Sequence, residues 1–408
     1  MNSYLIYLLT NFFVLSGVYF LTFALKVERT YDRCIFVGLL VSTQIIFSEL
    51  ILGACGKIFL PNLILVNSLI SCTLIAGVYI YSRKCNIDLA RLVKQDFKAL
   101  QSCLRNFTSP EIVFLSILFI FTSLWMFLAA YFYPPRDVDG IIYHLPPIYE
   151  AIQTGKLGLL PVSLRCNFAF AFSAELLFMW PAIFFHSQLY VDCVQYIYAV
   201  LGMITVFALA RELGQDRKIS LLLSFLFFFT PVVLFQAGTN LIEVIITAFF
   251  LISLYLAIRF YREGRLRDLY FAAWAIGLTF GMKYYMPIFA ISLQFLIIPR
   301  LLKKPRKHLF LYLLCILAAG GYWYIRNYAV LGNPTYPVDI LRLNAGGTAF
   351  DYTGNELKIS QFIKGIFYNL YELCVHDKSL ATFQGGYGLA FWGVAFPSWV
   401  FIFFKSFR

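Results

Sequence analysis

The chain of 408 residues is 61% hydrophobic and only 13% charged, with 44 Phe, a composition outside the range of soluble globular domains. Its formal net charge of +12 would suit a nucleic-acid binder, but the excess falls in short loops between apolar runs. Membrane topology and anionic lipid headgroups account for it there, so membrane lipids are the expected partner and nucleic acid is not. The nine cysteines show neither CxxC nor metal-ligand spacing, and they imply neither a metal site nor a disulfide framework.

A membrane span needs about 20 mostly apolar residues. By that measure the sequence predicts an all-α polytopic membrane protein with about eleven transmembrane helices, near 3–25, 34–53, 60–81, 112–131, 191–210, 219–235, 241–260, 269–284, 286–298, 309–324 and 390–404. The first run is too long and too lightly flanked by positive charge for a cleaved leader, and reads as a span. With the N-terminus outside, 23 of the 33 Lys and Arg fall in inner loops, as the positive-inside bias requires.

Between the spans, Arg83 to Glu111 has apolar residues at helical spacing and predicts an amphipathic helix on the inner surface. On the outer side "PPIYEAIQTGKLG" starts with prolines suited to a first helical turn and stops at Gly155, which predicts a helix of about ten residues. Ala169 to Phe185 is apolar, shorter than a span and interrupted by Pro181. It predicts a second helix along the outer surface, with a membrane hairpin as the alternative. The outer segment from Arg326 to Gly388 is rich in turn formers and Tyr, and "ISQFIKGIFYNLYELC" within it has helical periodicity.

Ionisable residues at the edge of a span are costly unless paired or solvated, and therefore mark candidate sites. "YPPRDVDGIIYHLPP" puts Asp137, Asp139, Tyr143 and His144 just after an apolar run. A carboxylate beside an apolar surface suits a general base, and either Asp could equally cap the helix that follows. Lys283, at the outer end of the eighth span, has no partner evident in the sequence; it could hold an anionic group or reach back to the interface. Arg326 closes the tenth span, and its guanidinium fork suits a phosphate. Glu243, just inside an apolar run, needs a cationic or protonic partner.

These segments together resemble the GT-C superfamily of polytopic glycosyltransferases, in particular the branch of protein mannosyltransferases, aminoarabinose transferases and lipopolysaccharide transferases. "DGIIYHLPPIYEAIQTGKL" is similar to the family's first outer loop, with Asp139 four residues before the "YHLP" segment that begins with Tyr143 and His144. "TNLIEVIITAFFLISLYLAIRFY" is similar to the following outer turn and carries Glu243, "AIGLTFGMKYYMPIF" supplies Lys283, and "RNYAVLGNPTYP" supplies Arg326, Asn327 and Tyr336. The resemblance implies a seven-span module over residues 112–325 with its first outer loop at 133–190. It leaves 1–111 as three additional N-terminal spans with a linker, and 326–408 as an outer loop and last span.

The resemblance also implies the chemistry: transfer of a sugar from a polyprenyl-phosphate sugar donor to an envelope lipid, glycan or protein acceptor, on the outer face of what would be a bacterial inner membrane. Asp139, with Asp137 second, would be the general base of an inverting displacement. Lys283 and Arg326 would hold the donor phosphate, and Tyr143, His144, Glu243, Asn327 and Tyr336 would orient substrate. Some relatives use a divalent metal, and Asp137 and Asp139 allow a Mg or Mn ion without requiring it. Two other classes compete: a lipid-linked glycan transporter or flippase, disfavoured by the lack of repeated halves, and an O-antigen polymerase-like or ligase-like enzyme, disfavoured by the lack of an outer arginine cluster.

Overall fold

The structure, a computed structural model, describes residues 2–105, 109–158 and 169–336. Every regular element among these residues is helical. The chain runs through α1 (Ser3–Ala24), α2 (Thr30–Ala54), α3 (Leu60–Lys84), α4 (Leu89–Arg105) and α5 (Pro110–Phe132). A π-helical turn (Gly140–His144) leads into α6 (Leu145–Thr154), followed by α7 (Ser173–Phe185), α8 (Cys193–Glu212), α9 (Arg217–Phe228) and α10 (Pro231–Ala237). The last elements are α11 (Glu243–Glu263), α12 (Leu266–Phe280), α13 (Met286–Leu301), α14 (Arg306–Gly320) and α15 (Tyr322–Leu331).

Among the described residues six helices, α1, α2, α3, α5, α8 and α11, are long and apolar enough to cross a membrane. The pairs α9 with α10 and α14 with α15 are bent by 61° and 66°, and counting each pair as one span gives eight. The chain is a multi-pass membrane protein, helical in every regular element of the described residues, which hold six to eight spans by length and composition. Each of the first ten predicted segments is helical, while α12 and α13, at 15 and 16 residues, are shorter than a bilayer-crossing helix. The two bends have identifiable causes. Pro231 restarts the chain after a break at Phe229 and Thr230, and α14 stops at the Gly320–Gly321 pair. The eleventh predicted span and the helical stretch near 359–374 lie outside the described residues.

Two expectations on the loops are met. Helix α4 occupies the predicted amphipathic segment, and α6 covers ten residues and stops at Gly155, whose φ of +73° is a left-handed conformation suited to glycine. The segment expected along the outer surface behaves differently. Helix α7 is buried from Ser173 to Phe184, packed among α1, α2 and α6, because a helix that is apolar all round gains most when protein covers every side. Val14, Phe36, Phe178 and Phe249 share one buried cluster, so the N-terminal helices and the later ones pack around a common core.

One end of the bundle is fastened by charge. Asp32 on α2 accepts hydrogen bonds from Arg259 Nη1 at 2.7 Å and Tyr255 Oη at 2.5 Å, and Arg259 Nε lies 3.3 Å from Asp268 on α12. Arg267 donates to the Leu25 and Lys26 carbonyls at 2.9 and 2.8 Å. Glu212 lies between Arg29 and Arg262 at 3.2 and 3.3 Å, and Asp96 brings α4 onto Arg33 and Thr30. These contacts draw the α1–α2, α8–α9 and α11–α12 connections and α4 together at one end of the bundle.

Candidate active site

The residues singled out in the sequence lie at the other end. Along α11, Glu243 and Arg259 are 16 residues apart, about 24 Å at 1.5 Å per residue.

After α5 the chain passes through Pro134 and Pro135 to Asp137, and the Arg136 guanidinium sits 4.3 Å from the Tyr133 ring centroid. Pro146 and Pro147 withhold two backbone donors from the next turn, and the Leu145 N–H reaches five residues back to the Gly140 carbonyl. The result is a wide π turn directly after the acids. Asp139 is exposed and Asp137 half-buried. Burial, and then the charge of Asp139, raise the proton affinity of Asp137 above that of an ordinary carboxylate, with His144 opposing.

The turn places its two aromatic residues differently. His144 is 2% exposed and points inward, its Nδ1 2.7 Å from Oε1 of the buried Glu175 on α7, so its observed contact anchors the loop to the core. Tyr143 stays nearer the surface, its ring 5.6 Å from that of Phe170 and 5.8 Å from Lys283 Nζ. Lys283 is also 3.5 Å from Glu243 Oε1. The acid that needed a partner and the cation without one in the sequence therefore meet each other, beside Tyr143.

Arg326 lies on α15, which continues to Leu331, so it sits within a helix and not at the start of a loop. Its guanidinium stacks 4.6 Å from the Trp323 ring centroid and donates to Asn327 Oδ1 at 2.8 Å and the Ala169 carbonyl at 3.1 Å. Asn327 is fully buried and donates to the Ala169 carbonyl and Tyr284 Oη at 2.6 and 2.9 Å. The Tyr284 hydroxyl reaches the carbonyls of Ala169 and Tyr336 at 3.1 and 3.0 Å, so Tyr336 enters this hub through its backbone. Lys283 precedes Tyr284 in the chain, and Arg326 shares the Ala169 carbonyl with it. Arg326 also lines a pocket of about 200 Å³ with Lys156, Glu150, Thr154, Phe172 and Trp323.

Three polar residues here escaped the sequence reading: Glu175, Asp192 and Asn240. Asp192 immediately precedes α8 but makes no capping hydrogen bond; its Oδ1 instead accepts from Asn240 Nδ2 at 3.1 Å. Burial, then the neighbouring Asp137, push its carboxyl up to about 7, opposed by the Asn240 bond. An acid raised in this way holds a proton in the folded chain that the unfolded chain has already lost. Its contribution to stability is complete below pH 3.8, is lost as pH rises toward 7, and stays lost above that. The difference is about three units, at most about 4 kcal/mol. Asp192→Asn is expected to raise the thermal midpoint at pH 8, with the gain disappearing near pH 4. A midpoint difference independent of pH would show that Asp192 does not titrate in this way.

Asp137 and Asp139 supply two carboxylates of unequal exposure, Asp192 is engaged by Asn240, and among the described residues no three His, Cys, Asp or Glu side chains are grouped to hold a metal ion.

Residues 173–324 match the model of a family described as dolichyl-phosphate-mannose-protein mannosyltransferase. The matched stretch contains Glu175, Asp192, Asn240, Glu243 and Lys283; the acidic turn at 137–144 lies before it and Arg326 after it. No curated protein and no solved structure matches the chain. The family match supports the GT-C superfamily and points to a membrane glycosyltransferase.

Proposed function

We propose that the protein transfers a sugar from a polyprenyl-phosphate sugar to an envelope lipid, glycan or protein acceptor, on the outer face of a bacterial inner membrane, with the N-terminus outside. The observation that carries this reading is the meeting of Lys283, Glu243 and Tyr143 with the Arg326 hub at one end of the membrane helices. Lys283 beside Tyr143, four residues after Asp139 in the chain, supports a site for an anionic donor next to a candidate base. Asp139 takes the proton of the acceptor hydroxyl while that oxygen attacks the anomeric carbon from the face opposite the phosphate, giving inversion. The bond to the phosphate oxygen breaks as the new bond forms, and the electron pair leaves on the polyprenyl phosphate. Lys283 and Arg326 stabilise that charge by being in place beforehand. Asp137 assists Asp139, and Tyr143 lines the approach.

The test is transfer by the purified full chain from synthetic polyprenyl-phosphate sugars to a panel of envelope acceptors, following released polyprenyl phosphate and glycosylated product together. Equal release of both is expected, with inverted configuration at the new bond. Donor binding followed only by movement of intact donor between bilayer leaflets would replace this reading by a transporter.

A further inference from the structure

The turn between α10 and α11 is bolted to the first turn of α8 by two side chains. Gln195, fully buried, donates to the Gln236 carbonyl at 2.9 Å and Thr239 Oγ1 at 3.3 Å, while its Oε1 accepts from the Val244 N–H at 3.0 Å. Three residues earlier on the same chain, Asp192 holds Asn240. Asn240 is itself fully buried, and its side-chain oxygen has no hydrogen-bond partner among the described residues. That oxygen lies against Gly140 so closely that a Cβ at position 140 would be 1.5 Å from it. Gly140 sits inside the turn that Ile141 closes by donating to the Asp137 carbonyl at 2.9 Å. Three residues beyond Asn240 comes Glu243, which faces Lys283.

We propose that Asn240, tethered by Asp192, is a positioning residue that sets the acidic turn of Asp137 and Asp139 against the Glu243–Lys283 pair; this inference rests on the transfer reaction proposed above. The amide suits the task because it is flat and rigid. Its nitrogen end is fixed by the Asp192 carboxyl just before α8, and its oxygen end is a hard stop against a backbone that only glycine lets approach. Hydrophobic packing alone would not select a buried carbonyl oxygen without a donor, since leaving one unsatisfied is unfavourable.

The test compares Asn240→Ala, Gly140→Ala and the double variant in the full chain. Misplacing a catalytic group by about 1 Å can cost on the order of 100-fold in rate. Asn240→Ala is expected to lower kcat by about 10- to 100-fold with the donor KM within about twofold, and Gly140→Ala to lower it at least as far. The double variant should return to the level of Asn240→Ala, because the obstructing oxygen is gone. Hydrogen exchange provides a readout separate from transfer: the Ile141 amide should exchange faster in Asn240→Ala, with the α11 amides unchanged. Wild-type kcat in Asn240→Ala, or a double variant no better than Gly140→Ala, overturns the proposal. If the wild type transfers no sugar, the proposed function fails by itself, and unchanged exchange at Ile141 would then overturn the positioning as well.

Discussion

Asp139→Asn is expected to lower sugar-transfer turnover by at least about two orders of magnitude while leaving donor binding intact, the usual scale of general-base catalysis. Asp137→Asn should cost about tenfold. The difference follows from where the turn places the two carboxylates. Asp139 is exposed, within reach of an acceptor arriving from water. Asp137 is half-buried, with burial and the Asp139 charge raising its proton affinity, which makes it a poorer proton acceptor at low pH and a neighbour that tunes Asp192. Steady-state kinetics on the two variants, with donor binding measured separately, settle the order. If Asp137→Asn is the more damaging, the roles exchange, and the acid limb of kcat/KM should then lie above the ordinary carboxylate range, since activity falls as pH drops through a raised pKa. Wild-type turnover in both variants would remove the aspartates from the chemistry.

The sequence was most legible where local chemistry decides the outcome. Helix α6 follows from prolines in its first turn and from Gly155 after its last, and α4 follows from the spacing of its apolar residues. Glu243 and Lys283 could each be read as needing a partner, but 40 positions separate them, and that they serve each other depends on how α11 and α12 pack. Hydropathy found each apolar run but not its helix length: α12 and α13 have 15 and 16 residues, fewer than the about 20 of a straight crossing. It described α7 as apolar without showing what covers it, although an all-round apolar helix carrying one carboxylate, Glu175, already called for burial and a buried partner. Asp192 went unnoticed because an Asp one residue before a helix reads as a cap. In the fold its side chain makes no cap and turns to Asn240, a contact across 48 residues that no local pattern records.

At the opposite end, Arg259→Leu is expected to destabilise the folded chain by about 3–5 kcal/mol, the cost of leaving the buried Asp32 carboxylate without its cation, while Asp268 keeps Arg267 Nε at 3.0 Å. The Arg259, Asp32 and Asp268 side chains are 3%, 2% and 0% exposed, so water cannot take the place of the missing guanidinium. The surface pair Lys218–Glu111, with side chains 51% and 57% exposed, serves as control, and Lys218→Ala should change stability by less than about 0.5 kcal/mol. Thermal or denaturant unfolding of the detergent-solubilised protein measures both. The damage in Arg259→Leu arises from orphaned charge, so adding Asp32→Asn should recover part of it, and that recovery separates an electrostatic loss from a packing loss. If Arg259→Leu melts with the wild type, the network does not hold α2 to α11 and α12, and the attachment of the N-terminal helices falls to the apolar contacts of α2 with α7 and α8. If the loss appears and Asp32→Asn restores none of it, the guanidinium acts chiefly as a filler between the helices.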